Sequence, residues 1–379
     1  MNFTSHTMTD QDVLDWLKSG FLYNFSEFAM PNSDSYLVGW GQFITSRQPV
    51  GDGPWLYAPD FYLEVEEPWF RYENLSLKTG EELTNLLKRA QGTEELQLER
   101  IQFQLQNFDW EMPDSDHFKK VLKTIQGEIK KGRLEKAVPV VFEKANFEFD
   151  IAKRLTMLTQ VINKSGLRRA YGQWSLETGM IGATPEVLFS YHGDKNILQT
   201  MSLAGTRRSD LEKKNPLLED KKEVHEQSLV TKMISERLSP LGDLSMNGPY
   251  PWDVGLITHL RTDLNLKLSA QTDESFVEAL IQKLHPTPAL GLSSKTLDFH
   301  WLKKIEGRVH RHRYGAPFGI YNFNQLSEFA VAIRNIQWDQ EDVLIGSGCG
   351  IVAQSTFEKE WEELKLKRRT VKDFLSLPN

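Results

Sequence analysis

The sequence predicts an α/β protein of the α+β kind, with strands that are mainly antiparallel. Residues 167–205 hold three strand-like runs in close succession, RAYGQWSLE, MIGATPEVLFSYHG and NILQTMSLAGTRRS, spaced as in an antiparallel meander. Residues 313–352 add further runs, rich in glycine and alternating in character. Around them lie segments with apolar residues at helical spacing, among them 150–164 and 223–238.

Taken in order, residues 9–19 predict a short helix with Val13, Leu14 and Leu17 on one side. SDSYLVGWGQFITS (33–46) reads as a strand, and PWLYAPDFYLEVEEPWFRY (54–72) as an aromatic, extended stretch punctuated by prolines. Two polar helices are expected at 79–90 and 93–107, followed by the turn-rich joint DWEMPDSD. Asp114 or Ser115 can cap a helix that turns Phe118, Val121, Leu122, Ile125 and Ile129 inward and stops at Gly132.

RLEKAVPVVFEKANFEF then reads as one strand, with Lys136 on the face of Val138, Val140 and Phe142. A lysine on an apolar face is unusual because desolvation disfavours the ammonium. A strand-end lysine snorkelling to solvent fits the same pattern. A helix at 150–164 places Ile151, Leu155, Leu158 and Ile162 inward. In the meander, Glu186 follows a proline in GATPEVLF and has apolar neighbours, which suits a half-buried general acid. A rim glutamate paired with an arginine fits too.

Residues 208–222 are charged and predict a mobile loop. In the helix 223–238, Glu226 lines up with Val230, Met233 and Ile234, and Glu223 lies one turn earlier on the same side. THLRTDLNLKLSA (258–270) reads as a strand, and the helix beginning at SFVEALIQKL breaks at His285-Pro286-Thr287-Pro288.

The chain's most informative stretch is Glu328–Lys367. Two strands joined by a polar turn at Asp339 to Asp342 lead into a charged helix. On the first strand, Phe329, Val331 and Ile333 alternate with Ala330, Ala332 and Arg334, so a guanidinium rises from an alanine-paved face. On the second, Gly346, Gly348 and Gly350 share a face, as where a ligand or a second backbone approaches closely. This surface could bind a carboxylate, and it equally fits a tight sheet crossing with Arg334 in an ion pair. Ser355 and Glu358 predict a capping box for the helix. Phe357, Trp361, Leu364 and Val371 form its apolar stripe, flanked by Glu360, Glu363 and Lys367. Glu223 with Glu226, and Glu360 with Glu363, are two carboxylate pairs on two helices. Together they could hold a hard cation such as Mg²⁺, and separately they could be solvated acidic faces.

The chain is 40% hydrophobic and 26% charged, with a net charge of −7 and both signs interspersed, so no nucleic-acid footprint is visible. Cys349 is the one cysteine, which excludes an intramolecular disulfide framework. MNFTSHTMTDQDVLDW lacks the pattern of a signal peptide, and no apolar run reaches membrane-spanning length, so a cytoplasmic protein without membrane contact is expected.

GSGCGIVAQSTFEKEWEELKLK resembles the C-terminal signature of the chorismate-utilising enzymes, and the resemblance covers roughly residues 115–375. It implies that family's fold, two large, mainly antiparallel sheets packed together with helices outside. Residues 1–110 would form a variable N-terminal part and 111–379 the chorismate-binding catalytic region. The segment IQGEIKKGRLEKAVPVVF resembles the one carrying the family's base, which falls on Lys136; isochorismate and salicylate synthases have lysine there, anthranilate synthases glutamine. The general-acid glutamate falls on Glu186, the family histidine on His259 and a substrate-side tyrosine on Tyr314. The carboxylate-binding arginine falls on Arg334. SLAGTRR places Ala204, Gly205 and Thr206 at the substrate, with Ala204 where aminodeoxychorismate synthases carry a nucleophilic lysine. Gly348 and Lys367 are further substrate-side positions, and Glu223, Glu226, Glu360 and Glu363 are the implied Mg²⁺ ligands. LHPTPAL is close to the form seen in isochorismate synthases.

The resemblance thus implies an Mg²⁺-dependent isochorismate synthase serving menaquinone or siderophore biosynthesis, monomeric and without a glutaminase subunit. A salicylate synthase and a non-catalytic chorismate-binding homologue are the alternatives. The sequence departs from the family pattern at several positions. Val140, Val141 and Phe142 stand where an arginine is usual, Pro139 interrupts the base strand, and Val224 and Gln227 replace an arginine and a histidine. HPTPALGLSSK lacks the usual double glycine. These changes bear on substrate orientation, while the acid, base and metal positions are kept.

Overall fold

Antiparallel ladders join fifteen strands into one continuous sheet in the computed structural model, which describes residues 7–30, 34–51, 53–92, 109–146, 149–307, 309–322 and 325–377. The helix predicted at 93–107 lies outside the described residues. The strands are β1 (Gly20–Asn24), β2 (Ser35–Ser46), β3 (Trp55–Tyr57), β4 (Trp69–Thr79), β5 (Leu134–Ala137), β6 (Val140–Ala145), β7 (Arg169–Trp174), β8 (Gly179–Thr184) and β9 (Val187–His192). They continue with β10 (Ile197–Arg208), β11 (Gly242–Asp253), β12 (Ile257–Leu268), β13 (Leu292–Ser294), β14 (Pro317–Tyr321), β15 (Leu326–Val331), β16 (Asn335–Trp338) and β17 (Val343–Gly348). The order is β11-β12-β10-β9-β15-β14-β3-β4-β2-β1-β7-β8-β16-β17-β6, and β13 pairs separately with β5. The two sheets expected from the sequence are therefore hydrogen-bonded into a single ladder. Strands from the first eighty residues sit in its middle.

The helices are α1 (Asp10–Lys18), α2 (Gly80–Ala90), α3 (Ser115–Lys130), α4 (Ile151–Lys164), α5 (Ser209–Glu212), α6 (Lys221–Leu238), α7 (Phe276–Leu284), α8 (His300–Glu306) and α9 (Phe357–Leu375). Five of them start on capping side chains: Thr9 and Thr79 form capping boxes, Asp114 accepts from the amides of Asp116 and His117, Asp150 from that of Lys153, and Asp220 from those of Lys222 and Glu223. The box predicted from Ser355 does not form. Thr356 is the N-cap of α9, and the Ser355 hydroxyl instead accepts from the Val352 amide at 3.1 Å. The charged stretch 208–222 is structured rather than a mobile loop: α5 is followed by a helical turn at Leu217–Glu219, and Arg207 pairs with Asp220 at 2.7 Å.

Trp16, Leu158, Trp174, Trp338 and Val371 belong to one large core cluster, fed by α1, α2, α4 and the end of α9. Leu188, Val230, Ile234, Leu264 and Leu280 belong to a second, where α6 and α7 cover the β9–β12 side. Burying each such side chain stabilises the fold by about 1.5–3 kcal/mol. Glu143 on β6 fastens α9 to the sheet, accepting from Arg368 at 2.7 Å and pairing with Lys372 at 2.5 Å.

Two runs that read as continuous strands are each broken, and the breaks lie side by side. MIGATPEVLFSYHG divides at Pro185 and Glu186, so that β8 pairs with β16 while β9 pairs with β15. EFAVAIRNIQW divides at Ala332–Arg334, where Arg334 has φ +58°. Proline has no N–H for a ladder and the left-handed residue turns the chain, so both runs leave one part of the sheet for another. The two crossings are tied together: the Val331 amide donates to the Glu186 carbonyl at 3.0 Å, and the Ala183 amide to the Arg334 carbonyl at 3.2 Å. The third break falls at Val138–Pro139 and separates β5 from β6. Lys136 therefore does not share a strand with Val140 and Phe142, and β5 pairs with β13 instead.

Candidate active site

The paired crossings open a small cavity of about 40 Å³, lined on one side by Pro185, Glu186, Ile333 and Arg334. Leu203, Ala204, Gly205, Thr206 and His259 form another wall, and Tyr314, Gly348, Gly350, Lys367, Ala289, Leu290 and Glu226 complete it. The sequence-predicted residues Glu186, Ala204, Gly205, Thr206, Glu226, His259, Tyr314, Arg334, Gly348 and Lys367 thus meet in one place. Arg334 reaches it because its left-handed backbone takes it off the alanine face predicted for it. Ala330 and Ala332 remain in a separate core cluster.

Glu186 is 5% exposed. Burial pushes its carboxyl up to about 7, against the opposing pull of Lys136, Lys367 and Arg334. It can therefore hold a proton near neutral pH and give it to a leaving group. The folded protein favours the protonated acid, so stability from this group is full below about 4.5 and is lost as pH rises through 7. The difference in stability between Glu186→Gln and the parent should therefore shift in favour of the glutamine variant by on the order of 3 kcal/mol between those limits. Denaturant melts at both pH values measure this shift.

His259, on β12, places Nδ1 3.1 Å from the Gly205 carbonyl and 3.2 Å from the Thr206 hydroxyl. A carbonyl only accepts, so Nδ1 carries the proton and Nε2 remains a buried acceptor without a partner. Burial, with Arg334 and Lys367 nearby, lowers its pKa to about 3, so the ring is neutral. Gly205 forms a bulge at φ +76°, which turns the Thr206 amide toward Glu223 Oε2 at 2.8 Å.

Lys136 lies behind the cavity wall, with no exposure and its ammonium 3.0 Å from Glu226 Oε1. Gly350, two residues past the end of β17, makes room for this pair. A Cβ on Gly350 would overlap Glu226 Oε1 and come within 2.6 Å of Lys136 Cε. On Gly346 it would meet Tyr314, and on Gly348 it would meet Val138 and Val140. Gly350→Ala should lower turnover at least tenfold with little loss of solubility; turnover within twofold of the parent would show that the pair tolerates displacement.

Glu223, Glu360 and Glu363 line an adjoining groove beside the cavity. Lys367 donates to the Gly348 carbonyl at 2.8 Å and pairs with Glu363 at 2.6 Å. Glu363 is held below the usual carboxylate range by Lys367 and Lys222, despite burial. Glu360 is 1% exposed, and neither of its oxygens accepts a hydrogen bond of good geometry. Burial and then Glu363 raise its pKa to about 7. Between the carboxylates stands Lys222, a residue the sequence reading passed over. Its ammonium is 3.1 Å from Glu223, 3.1 Å from Glu360 and 3.6 Å from Glu226. Among the described residues no three potential ligands are converged at coordinating distance. The donor set is all carboxylate, and the buried Glu360 is met by the Lys222 ammonium without a hydrogen bond of good geometry, which fits a hard divalent cation. The signal for Lys222 was present in KKEVHE, where it stands four residues before Glu226.

Gln227, where the resemblance implies a histidine, sits in a small polar network. Its amide nitrogen lies 2.9 Å from Ser202, 2.9 Å from Thr231 and 2.8 Å from Thr262. The substitution is thus absorbed by hydroxyls.

The family model described as "Chorismate binding enzyme" matches residues 59–376, and the chain belongs to that family. It is similar to the isochorismate synthase MenF of Bacillus subtilis, 27% identical over 262 residues, covering 67% of this chain and 54% of the relative. It is also similar to the salicylate biosynthesis isochorismate synthase of Pseudomonas aeruginosa, 27% identical over 202 residues, covering 52% and 42%. The matches thus span about half the length of these curated relatives. The fold is shared with the crystal structure of a 2,3-dihydroxybenzoate-specific isochorismate synthase, DhbC, from Bacillus anthracis. The TM-score is 0.74 at 19% identity, covering 98% of this chain and 100% of that one. Among the described residues no helix is long and apolar enough to cross a membrane.

Proposed function

We propose that this chain is an Mg²⁺-dependent isochorismate synthase, converting chorismate to isochorismate. The observation that supports the proposal is a protonatable buried acid, Glu186, lining one cavity with Arg334, Tyr314 and Glu226, and a buried lysine, Lys136, paired with that Glu226 from behind the cavity wall. Lys136 is assigned as the base that takes a proton from the water attacking C2. Glu186 gives a proton to the C4 hydroxyl, which leaves as water. One water enters and one departs, so the reaction is an isomerisation. Arg334 holds the enolpyruvyl carboxylate through its guanidinium fork, assisted by Tyr314 and the backbone at Gly348. His259 Nε2 accepts from a substrate hydroxyl. Ala204 carries no amine, in keeping with water rather than nitrogen as the nucleophile.

Glu223, Glu226, Glu360 and Glu363 would hold Mg²⁺, which when bound would neutralise and fix the ring carboxylate of the substrate. The test is incubation with chorismate and Mg²⁺, without ammonia, followed by chromatography of the products. Isochorismate supports the reading. Salicylate with pyruvate would make the chain a salicylate synthase, and unchanged chorismate despite measurable binding would make it a non-catalytic homologue.

A further inference from the structure

We propose that Lys222 is itself a member of the cation site: its ammonium holds the place among the carboxylates in the metal-free protein and is expelled when a divalent cation binds. This inference rests on the reading that Glu223, Glu226, Glu360 and Glu363 take Mg²⁺. A lysine in the first turn of α6 works against the helix dipole, so its position needs a separate cause. The carboxylates supply it, since the ammonium lies within 3.1–3.6 Å of Glu223, Glu226 and Glu360. One point charge thereby joins α6 to α9, two helices whose facing glutamates would otherwise repel. Lys367 is committed to Glu363 and Lys136 to Glu226, which leaves Glu360 and Glu223 to Lys222.

The buried Glu360, with neither oxygen in a well-formed hydrogen bond, shows that the ammonium satisfies the cluster only in part. Coordination by a divalent ion would satisfy it more fully. A lysine suits a placeholder because its charge is compact and its four-carbon stem is flexible. Its side chain is 18% exposed and lines the outer groove, so a path outward exists. The two cations cannot share the position, because like charges at such separations repel strongly in a poorly solvated site. Mg²⁺ affinity is therefore set by competition with an internal cation, and the metal-free helices stay together without the metal.

The test is calorimetric titration of the full chain with Mg²⁺ alone, together with amine-acylation footprinting read by mass spectrometry. In the parent protein, acylation of Lys222 should speed up severalfold when Mg²⁺ saturates, while the exposed Lys119 stays unchanged. Lys222→Met should bind Mg²⁺ at least tenfold more tightly, with a lower metal-free Tm and a larger rise on adding Mg²⁺. If the parent binds Mg²⁺ while Lys222 remains protected, or if Lys222→Met binds no more tightly, the proposal is overturned and the metal reading stands. If neither protein binds Mg²⁺, the metal reading fails and the proposal falls with it. Should Lys222→Met fail to fold, footprinting of the parent decides the question alone.

Discussion

Lys136→Ala is expected to lower conversion of chorismate by about 10²–10⁴-fold, the range that a positioned general base contributes. The effect is large because the site offers no substitute. His259 has a proton fixed on Nδ1 and its free nitrogen faces two cations. Lys367 is engaged by Glu363 and the Gly348 carbonyl, and Lys222 lies among the outer carboxylates. Chorismate binding should survive, since Arg334 and Tyr314 are untouched. Removing the ammonium also leaves Glu226 unpaired, so Lys136→Arg is the necessary companion. It keeps a positive charge beside Glu226 but stays protonated at any working pH. If Lys136 is the base, both variants are equally poor; if the arginine variant keeps most of the activity, charge alone is what the site needs.

Arg311→Met should be the most destabilising single change outside the cavity, costing about 3–5 kcal/mol by leaving a buried charge without its partner. Arg311 has no exposed side-chain surface, and its guanidinium donates to Glu306 at 2.5 and 3.0 Å, to the Val138 carbonyl at 2.6 Å and to the Leu290 carbonyl at 2.8 Å. Glu306 in turn accepts from the Val140 amide at 3.1 Å. The pair therefore clamps three pieces of chain: the exit of the Lys136 strand, the start of β6 and the loop that brings Leu290 to the cavity. Arg311→Met/Glu306→Leu should recover part of the loss, because the buried charge goes but the carbonyls of Val138 and Leu290 still lack donors. Denaturant midpoints of the two variants measure both effects. A single variant within 1 kcal/mol of the parent would mean that water replaces the guanidinium.

Most of the secondary structure was legible where periodicity was clean, as in α3, α4 and α6. The missed features share one cause, which is that local pattern does not show where a strand changes neighbours. Alternation continues through Pro185, Val138–Pro139 and Ala332–Arg334, yet the chain breaks at each. Proline was the available signal at two of these. Nothing local marks Arg334 as left-handed; its conformation is imposed by the crossing with the Glu186 run. The strand β11 was missed because Gly248 and Pro249 interrupt its pattern, and its pairing with β12 accommodates them through a register shift. At the site, the glutamates, Glu186, His259 and Arg334 were readable from motif and spacing. Arg311 and Glu306 were not, because their importance lies in partners distant along the chain; for Lys222 only the spacing to Glu226 was readable, since its partner Glu360 lies on another helix.

The central claim is that water adds at C2 and the C4 hydroxyl departs. Turnover of chorismate by the Mg²⁺-supplemented chain in ¹⁸O-enriched water, with the isochorismate analysed by mass spectrometry and NMR, tests it most directly. The account predicts one solvent-derived oxygen per product molecule, bonded to C2. Isochorismate that carries none, its hydroxyl having migrated within the substrate, would contradict the roles given to Lys136 and Glu186.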